Sequence, residues 1–259
     1  MAGLDHAVIV ARDLGALSAE FEALGFLLTP TAQHPWGTAN RLAQFEGRNF
    51  LELLTIDRPE LVARDPATVP EGPFSFGRHA ARFLAEREGF TMLALQTADS
   101  AADLLRWRAA GLVTYEPFRF ERQAALPDGS VATVAFSLAF TTHPLLPDLV
   151  FFTCLQHAPE HFWKPAYQSH PNGATELVEV SIAVREPHRL ASFLAGLTGS
   201  ECRARGDGIE CDVGPHRIVF TPSSADASRD GVTLSIRVPH ESPLRGRRSR
   251  AGGVILHGV

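Results

Sequence analysis

The sequence predicts an α+β fold built from repeated strand–helix–strand–strand–strand (βαβββ) modules. Short apolar runs with strand-like alternation are separated by single helical stretches along the chain. The same order of elements occurs three times, each time with a glycine directly after the helix. Because the strands follow one another in groups of three, the pattern favours α+β over a regular α/β alternation.

The first module is predicted for residues 3–57. Leu4–Ala11 is short and rich in β-branched residues, so it is interpreted as a strand. Asp13 then caps a helix that runs to about Leu24, and Gly25 ends it. The three strands that complete the module are predicted at Phe26–Thr31, Ala39–Phe45 and Asn49–Ile56.

The second module is predicted for residues 89–157, after a connector over 58–88 that becomes helical near its end. Its first strand is Phe90–Thr97, and its helix begins at Asp99 and ends at Gly111. The three following strands are predicted at Val113–Arg122, Val131–Phe140 and Leu149–Leu155. Residues 1–157 are therefore expected to form an N-terminal unit of two modules.

A second connector, 158–175, precedes a C-terminal unit over 176–259. Its strand is Leu177–Val184, its helix lies around Pro187–Leu197, and Gly199 follows. Three short strands near 201–204, 208–213 and 217–221 complete this third module. Val232–Val238 and Val254–His257 are interpreted as a truncated fourth module whose helix is missing.

Composition excludes several classes of protein. The 259 residues suffice for a sizeable core without a disulfide, and the net charge of −5 is dispersed, so no basic stripe indicates nucleic-acid binding. No apolar run approaches the ~20 residues that cross a membrane. Cys154, Cys202 and Cys211 are odd in number and lack CxxC spacing, which favours a reducing compartment. A cytoplasmic protein is expected.

His6 and Glu52 are the leading candidates for chemistry. The alternation of side chains places His6 on one strand face with Leu4, Val8 and Val10, and Glu52 with mostly apolar neighbours. A buried carboxylate without a partner costs several kcal/mol, so Glu52 must meet a cation, share a proton or be protonated. An imidazole with a carboxylate suits Zn²⁺, Fe²⁺, Mn²⁺ or Ni²⁺. The alternative is a metal-free hydrogen bond inside the core.

The segment His34-Pro35-Trp36-Gly37-Thr38 has two interpretations. In the first, Gly37 permits a tight turn and Asn40 bonds local backbone. In the second, the segment is a pocket rim where Trp36 stacks on a substrate and Asn40 or Arg41 holds a polar group. Arg41 could bind a carboxylate with two hydrogen bonds, or it could be solvated.

The connector 158–175 carries His161, Trp163 and His170, and His157 lies directly before it. The segment either packs over the mouth of a barrel or contributes to a site. Without an HExxH pattern a zinc protease is not indicated, and no phosphate loop, GxSxG elbow or dinucleotide fingerprint is present.

Five segments together resemble the glyoxalase-like branch of the vicinal oxygen chelate (glyoxalase/bleomycin resistance/extradiol dioxygenase) superfamily. They are Leu4–Val10, His34–Leu42, Asn49–Leu54, Phe151–His157 and Phe162–Ala174. The resemblance spans roughly residues 3–200 and implies that two modules curl into a half-open β-barrel around one divalent ion. In that superfamily the ligands come from the first and last strands of each module.

His6 and Glu52 match those ligand positions in the first module. In the second module Met92 lies near the first-strand position and Phe152 lies at the last-strand position. The nearest candidates there are Gln156 and His157. The resemblance therefore implies the metal ligands His6, Glu52 and His157.

Two functions are compatible with these residues. The first is a metal-dependent enzyme, an isomerase, lyase or dioxygenase, that acts on a small substrate with vicinal oxygens, with Glu52 as catalytic proton carrier. Trp36, Asn40, Arg41 and Trp163 would bind that substrate. The second is a metal-free protein that sequesters an apolar small molecule. Strand edges left open by the truncated module suggest a homodimer.

Overall fold

The computed structural model describes residues 3–125, 131–223 and 231–259, and its architecture is the predicted α+β fold. The strands are β1 Gly3–Val10, β2 Ala32–Gln33, β3 Thr38–Gln44, β4 Phe50–Ile56, β5 Gly89–Gln96, β6 Val113–Thr114, β7 Phe118–Ala125, β8 Val131–Thr142, β9 Val150–Gln156, β10 Glu176–Val184, β11 Cys202–Arg205, β12 Gly208–Val213, β13 His216–Pro222, β14 Val232–Arg237, β15 Arg248–Ala251 and β16 Val254–Gly258. The helices are α1 Leu14–Ala23, α2 Pro59–Val62, α3 Phe76–Glu86, α4 Ser100–Ala109, α5 Pro159–Phe162 and α6 Ala191–Thr198, with 3₁₀ turns at Pro165–Tyr167 and Pro187–Leu190.

The N-terminal sheet contains both modules of the first half. Its strand order is β2-β3-β4-β1-β5-β9-β8-β6, and β7 also pairs with β8. Within each module the first strand runs parallel to the last, β1 with β4 and β5 with β9. The modules join side by side through the antiparallel pair β1–β5. The sheet curls into the predicted half-barrel, whose inner face carries one apolar cluster and whose outer face carries another.

The predicted ends of the helices agree with the structure. Asp13 and Asp99 each accept hydrogen bonds from backbone N–H groups in the first turn of α1 and α4. The glycines that follow the three helices have left-handed backbone conformations, with φ of 82° at Gly25, 73° at Gly111 and 72° at Gly199. The repeated glycine is therefore a true marker of the module.

Two strand predictions are wrong, and β15 was not predicted. Phe26–Thr31 is not a strand, because Pro30 supplies no N–H for a ladder and Phe26 turns into the core beside α1. The predicted strand Val113–Arg122 is divided into β6 and β7 around Pro117. β15 was missed because Arg-Ser-Arg-Ala shows no alternation of apolar and polar residues.

The C-terminal sheet repeats the plan of the first. Its order is β11-β12-β13-β10-β14-β16-β15, with β10 parallel to β13, β14 parallel to β16, and β10 antiparallel to β14. The fourth module passes from β14 to β15 without a helix, as the sequence predicts. One face of this sheet shares its core with the outer face of the N-terminal sheet.

Two buried polar contacts connect the two sheets. The Asn49 side chain donates to the carbonyl of Leu177 at 2.8 Å and accepts from the N–H of Leu177 at 2.9 Å. The N–H of Leu4 donates to His216 Nδ1 at 2.9 Å. Because Asn49, Leu4 and Leu177 are fully buried, these bonds satisfy groups that water cannot reach.

The cysteine interpretation requires a correction. Cys202 and Cys211 face each other across β11 and β12 and form a disulfide, and Cys154 is a buried free thiol. Two of the three cysteines are therefore paired and one is free. The disulfide removes the reason for expecting a reducing compartment. The cytoplasmic location stays a prediction. Among the described residues no helix combines the length and apolarity needed to span a bilayer.

Candidate functional site

The inner face of the N-terminal sheet lines a cavity of about 60 Å³ that is partly open to solvent. On every contributing strand the lining residues are two positions apart, as strand alternation requires. Its walls are mainly aromatic: Trp36, Phe50, Phe76, Phe120, Phe136, Phe152 and Phe162. Its polar groups are His6, His34, Thr38, Asn40, Glu52, Arg122 and Cys154.

His6 and Glu52 meet in this cavity. Register places Val8 of β1 opposite Glu52 of β4, so the two side chains project from adjacent strands on the same face. His6 Nε2 lies 3.5 Å from Glu52 Oε2, and both residues are buried. The imidazole is held in place by stacking on Phe50, with 4.3 Å between ring centroids.

A β-bulge in β1 gives His6 a second acid neighbour. The pairing with β5 shifts between Leu4 and His6, so Asp5 is an inserted residue. Its Oδ1 lies 2.5 Å from His6 Nδ1, so Nδ1–H donates a hydrogen bond to this carboxylate. Leu4 belongs to the outer cluster, so the expectation that it shares the face of His6 is wrong. A bulge leaves no mark in the apolar periodicity.

A series of neighbouring polar side chains holds Glu52 on the side away from His6. Asn40 Nδ2 donates to Glu52 Oε1 at 2.6 Å and lies 3.4 Å from His34 Nε2. His34 Nδ1 lies 2.8 Å from Thr38 Oγ1. Burial, with lesser contributions from Arg122 and nearby cations, lowers the pKa of His34 to about 3, so its ring is neutral at physiological pH.

The second module supplies no ligand at the two corresponding positions. Ala94 pairs with Phe152 just as Val8 pairs with Glu52, which makes Met92 the counterpart of His6. Cys154 is the next inward residue of β9, and its sulfur lies within 4.8 Å of ligand atoms of Asp5 and His6. Burial and the neighbouring carboxylates raise its pKa well above the ordinary value, so it is a protonated thiol.

The donor atoms of the first module fit a divalent ion. With its proton on Nδ1, His6 presents a lone pair at Nε2, and this lone pair faces Glu52 Oε2, which is also an acceptor. Two ligand atoms of a tetrahedral Zn²⁺ are separated by about 3.4 Å, close to the 3.5 Å seen here. The pair therefore fits an ion bound by one imidazole and one carboxylate, with its remaining positions open to water or substrate.

Arg122 is the main functional candidate that sequence reasoning missed. It lies on β7 and lines the cavity from the side of the second module. Burial lowers the pKa of its guanidinium, and the charge of Glu52 partly opposes that change. Phe118 and Phe120 share its strand face, and this alternation was the available signal.

Four of the predicted site residues line the cavity and three do not. Trp36 and Asn40 join His6 and Glu52 as lining residues. Gly37 has the positive φ, 96°, that the predicted tight turn requires, so the turn and the pocket rim are the same segment.

Strand alternation explains two of the three residues that lie outside the cavity. Arg41 points to the outer face of β3, where it pairs with Glu22 at 2.9 Å. Trp163 packs behind the cavity wall against Phe50. His157 is exposed and bonds Ser137 at 2.8 Å on the outer side of β8, so the site is built without it.

Comparisons with known proteins concern the family and the fold of the chain. The sequence profile of the glyoxalase-like domain matches residues 4–198, whereas no curated protein matches the chain. A hypothetical protein from Staphylococcus aureus has the same fold, with a TM-score of 0.78, 14% identity and coverage of 100% of this chain and 99% of that one.

Two further solved structures are similar over different spans. A xylose isomerase-like TIM barrel/4-hydroxyphenylpyruvate dioxygenase fusion protein has a TM-score of 0.56 and 14% identity, covering 92% of this chain and 36% of that one. Methylmalonyl-CoA epimerase in complex with methylmalonyl-CoA and NH₄⁺ has a TM-score of 0.42 and 21% identity, covering 61% of this chain and 96% of that one. These identities show the fold alone. With the profile match over most of its length, the chain belongs to the glyoxalase-like domain family, a branch of the vicinal oxygen chelate superfamily.

Proposed function

We propose that the protein is an enzyme that transfers a proton on a small substrate with two neighbouring oxygens, using a divalent ion held by His6 and Glu52. The observation that carries the proposal is the approach of two acceptor atoms, Nε2 and Oε2, to 3.5 Å inside an apolar cavity. Such a pair is repulsive unless a proton or a metal ion lies between its members.

The surrounding residues hold both donors in position. Asp5 keeps the His6 proton on Nδ1, a partner arrangement that raises ligand basicity and fixes ring orientation at metal sites. Asn40 holds Glu52 Oε1 and leaves Oε2 directed at His6. When bound, the ion would polarise a substrate oxygen as a Lewis acid. Glu52 would accept or return the substrate proton.

Metal content gives the first test. Protein purified without a chelating tag is expected to contain about one equivalent of a divalent metal by plasma mass spectrometry. His6→Gln should lose that metal, whereas His157→Gln, at an exposed histidine outside the cavity, should keep it. Metal retained by His6→Gln, or lost by His157→Gln, would contradict the ligand assignment.

Proton transfer gives the second test. The metal-loaded protein is incubated in D₂O with a panel of small 2-hydroxy and 2-oxo acids and 2-oxo aldehydes, and loss of the proton beside the oxygens is followed by NMR. Glu52→Gln should lower the exchange rate roughly 10²–10⁴-fold, the range expected for a positioned general base. No exchange with any member of the panel would count against the enzyme.

A second function is favoured by Met92 and Phe152. These side chains occupy the ligand positions of the second module, so a full set of metal ligands is not formed there. The cavity would then be a metal-free binding site for an apolar small molecule. Metal analysis separates the two, since the binder contains no stoichiometric metal after purification.

The homodimer also stays a proposal. The open edges of β11 and β15 end the C-terminal sheet and could pair across a two-fold axis. Sedimentation as a monomer at micromolar concentration would reject it.

A further inference from the structure

We infer that Arg122 binds a carboxylate of the substrate, so that the cavity selects small 2-hydroxy acids with an apolar body. The inference rests on the proposed function in one respect: it takes the cavity to be a substrate site. It adds the chemical class of the substrate and the residue that recognises it.

The Arg122 guanidinium lies in a sheltered and mainly apolar environment. The side chain is only partly exposed and lines a cavity whose walls are aromatic. Within residues 3–125, 131–223 and 231–259, no hydrogen bond or ion pair engages it, and Glu52 acts on it only at longer range. A sheltered cation that lacks an ion pair is costly, and an anion entering the cavity would remove that cost.

Glu52 already contacts Asn40 and His6, so it is not an ion-pair partner of Arg122. Its Oε1 accepts from Asn40 at 2.6 Å, and its Oε2 faces His6 at 3.5 Å. The acid therefore stays on β4, on the side of the first module, while Arg122 enters from β7. The space between these two charges is the cavity itself. A ligand that carries its own negative charge at the Arg122 end suits this separation.

Asn40 lines the same cavity and has an amide oxygen that can accept a hydrogen bond from a ligand. Its Oδ1 is buried and, in the described part of the chain, accepts no hydrogen bond. Because an unsatisfied buried acceptor is unfavourable, the Asn40 oxygen would be stabilised by a donor from the ligand. A hydroxyl next to the carboxylate supplies that donor beside Glu52, and it also gives the ligand two neighbouring oxygens.

The remaining surface of the cavity defines the rest of the ligand. Phe120 stacks on Phe136 with 4.9 Å between centroids, and Trp36 stacks on Phe76 with the same separation. These flat walls suit an aromatic ring or another apolar group. Lys164 lies close enough to Arg122 for the two charges to interact, so a second cation lies within electrostatic range of the guanidinium.

Mandelate carries all three features, namely a carboxylate, an adjacent hydroxyl and an aromatic ring, and is the probe for the test. Its binding to the intact chain is measured by titration calorimetry beside mandelamide, which lacks the charge, and phenylacetate, which lacks the hydroxyl. The native protein should bind mandelate at least tenfold more tightly than mandelamide. It should also bind mandelate several-fold more tightly than phenylacetate, because Asn40 then lacks its donor.

Arg122→Gln should weaken mandelate binding at least tenfold and leave mandelamide binding within about twofold. Arg119→Gln is the matched control, because Arg119 lies on the same strand but is exposed on the opposite face. It should bind mandelate within about twofold of the native chain. Arg122→Lys keeps the charge without the planar fork and should give an intermediate loss. Thermal melting verifies that each variant is folded.

Three results would overturn the inference: no mandelate binding by the native chain at millimolar concentration, equal affinity for mandelate and mandelamide, or equal mandelate affinity in folded Arg122→Gln and native protein. These outcomes are distinct from failure of the proposed function. Charge-dependent mandelate binding without proton exchange in the panel would reject the enzyme alone. Exchange that is unchanged in Arg122→Gln would reject the role of Arg122 alone.

Discussion

The two sheets follow one plan, and their bulges allow them to be compared position by position. The bulge between Leu4 and His6 in β1 recurs between Leu177 and Glu179 in β10, so Glu179 is the counterpart of His6. The register then makes Val219 the counterpart of Glu52. The same module geometry is thus present twice, with different chemistry at matching positions.

The difference lies in what the inner face carries. In the N-terminal sheet, His6 and Glu52 converge among aromatic rings. In the C-terminal sheet, Glu179 instead pairs at 2.6 Å with Arg205, whose side chain is half-exposed. Topology therefore positions side chains, but a site also needs walls that exclude water, because exposed ion pairs contribute little and are screened.

The largest expected effect tests whether that comparison is functional. His6→Gln should lower proton exchange roughly 10²–10⁴-fold, because the imidazole that faces Glu52 is lost. Glu179→Gln, at the matching position of the other sheet, should leave exchange within about twofold. The NMR exchange assay in D₂O measures both. A comparable loss in Glu179→Gln would break the assignment of the chemistry to the N-terminal sheet.

The next effect concerns the contact between the sheets. Asn49→Ala leaves the buried N–H and carbonyl of Leu177 unpaired, at about 1–3 kcal/mol for each group. Urea unfolding should show a loss of about 2–6 kcal/mol in the free energy of unfolding. Gln96→Ala, which removes one exposed hydrogen bond to Arg48, should cost less than about 1 kcal/mol. Equal losses of unfolding free energy in the two variants would show that the Asn49 contact contributes no more than an exposed hydrogen bond.

The disulfide of the C-terminal sheet should matter less, and only for stability. Replacing Cys202 and Cys211 by serine is expected to cost about 2–3 kcal/mol from loop entropy, with proton exchange unchanged. Thiol titration of the unfolded, unreduced native chain should find one thiol, that of Cys154. Three titrated thiols would mean that the pair is not formed.

A further effect is a dependence of stability on pH that arises in the N-terminal half. Burial lowers the pKa of His34 from 6.5 to about 3 and that of His79 from 6.5 to about 4. Below pH 6.5 the unfolded chain binds protons that the folded chain refuses, so this stability is complete above pH 6.5 and is lost as the pH falls.

Each histidine contributes a slope of at most about 1.4 kcal/mol per pH unit. Urea unfolding between pH 7 and pH 5 should therefore show decreasing stability. His79→Gln should remove about half of the slope that the two residues cause, at a buried position bonded to Thr91. An unchanged slope in this variant would contradict the burial argument for His79.

Local patterns predicted much of the fold and part of the site. Helix caps, the repeated glycine and strand alternation identified the modules, and the family resemblance indicated that His6 and Glu52 belong to one site. Arg41 and His157 were assigned without applying that alternation strictly, and both lie on outer faces. Both residues were chosen by their distance along the chain, without asking which face of the strand each side chain occupies.

Other features could not be obtained from local patterns. Asp5 reaches His6 only because a bulge inserts one residue, and Arg122 reaches the same cavity from a strand of the other module. His34 joins the network through a turn that folds back on β3. These contacts depend on register between distant strands, which local periodicity does not encode.

The sequence by itself determined the α+β modules and their order, because caps and alternation are local properties of the chain. The family resemblance added the expectation that His6 and Glu52 face one site. Only the tertiary structure decided which residues share the cavity. It set the 3.5 Å approach of Nε2 to Oε2, brought Arg122 from the second module and turned His157 outward. Strand pairing brings together residues more than a hundred positions apart, and the cavity exists only where such strands curl around aromatic side chains.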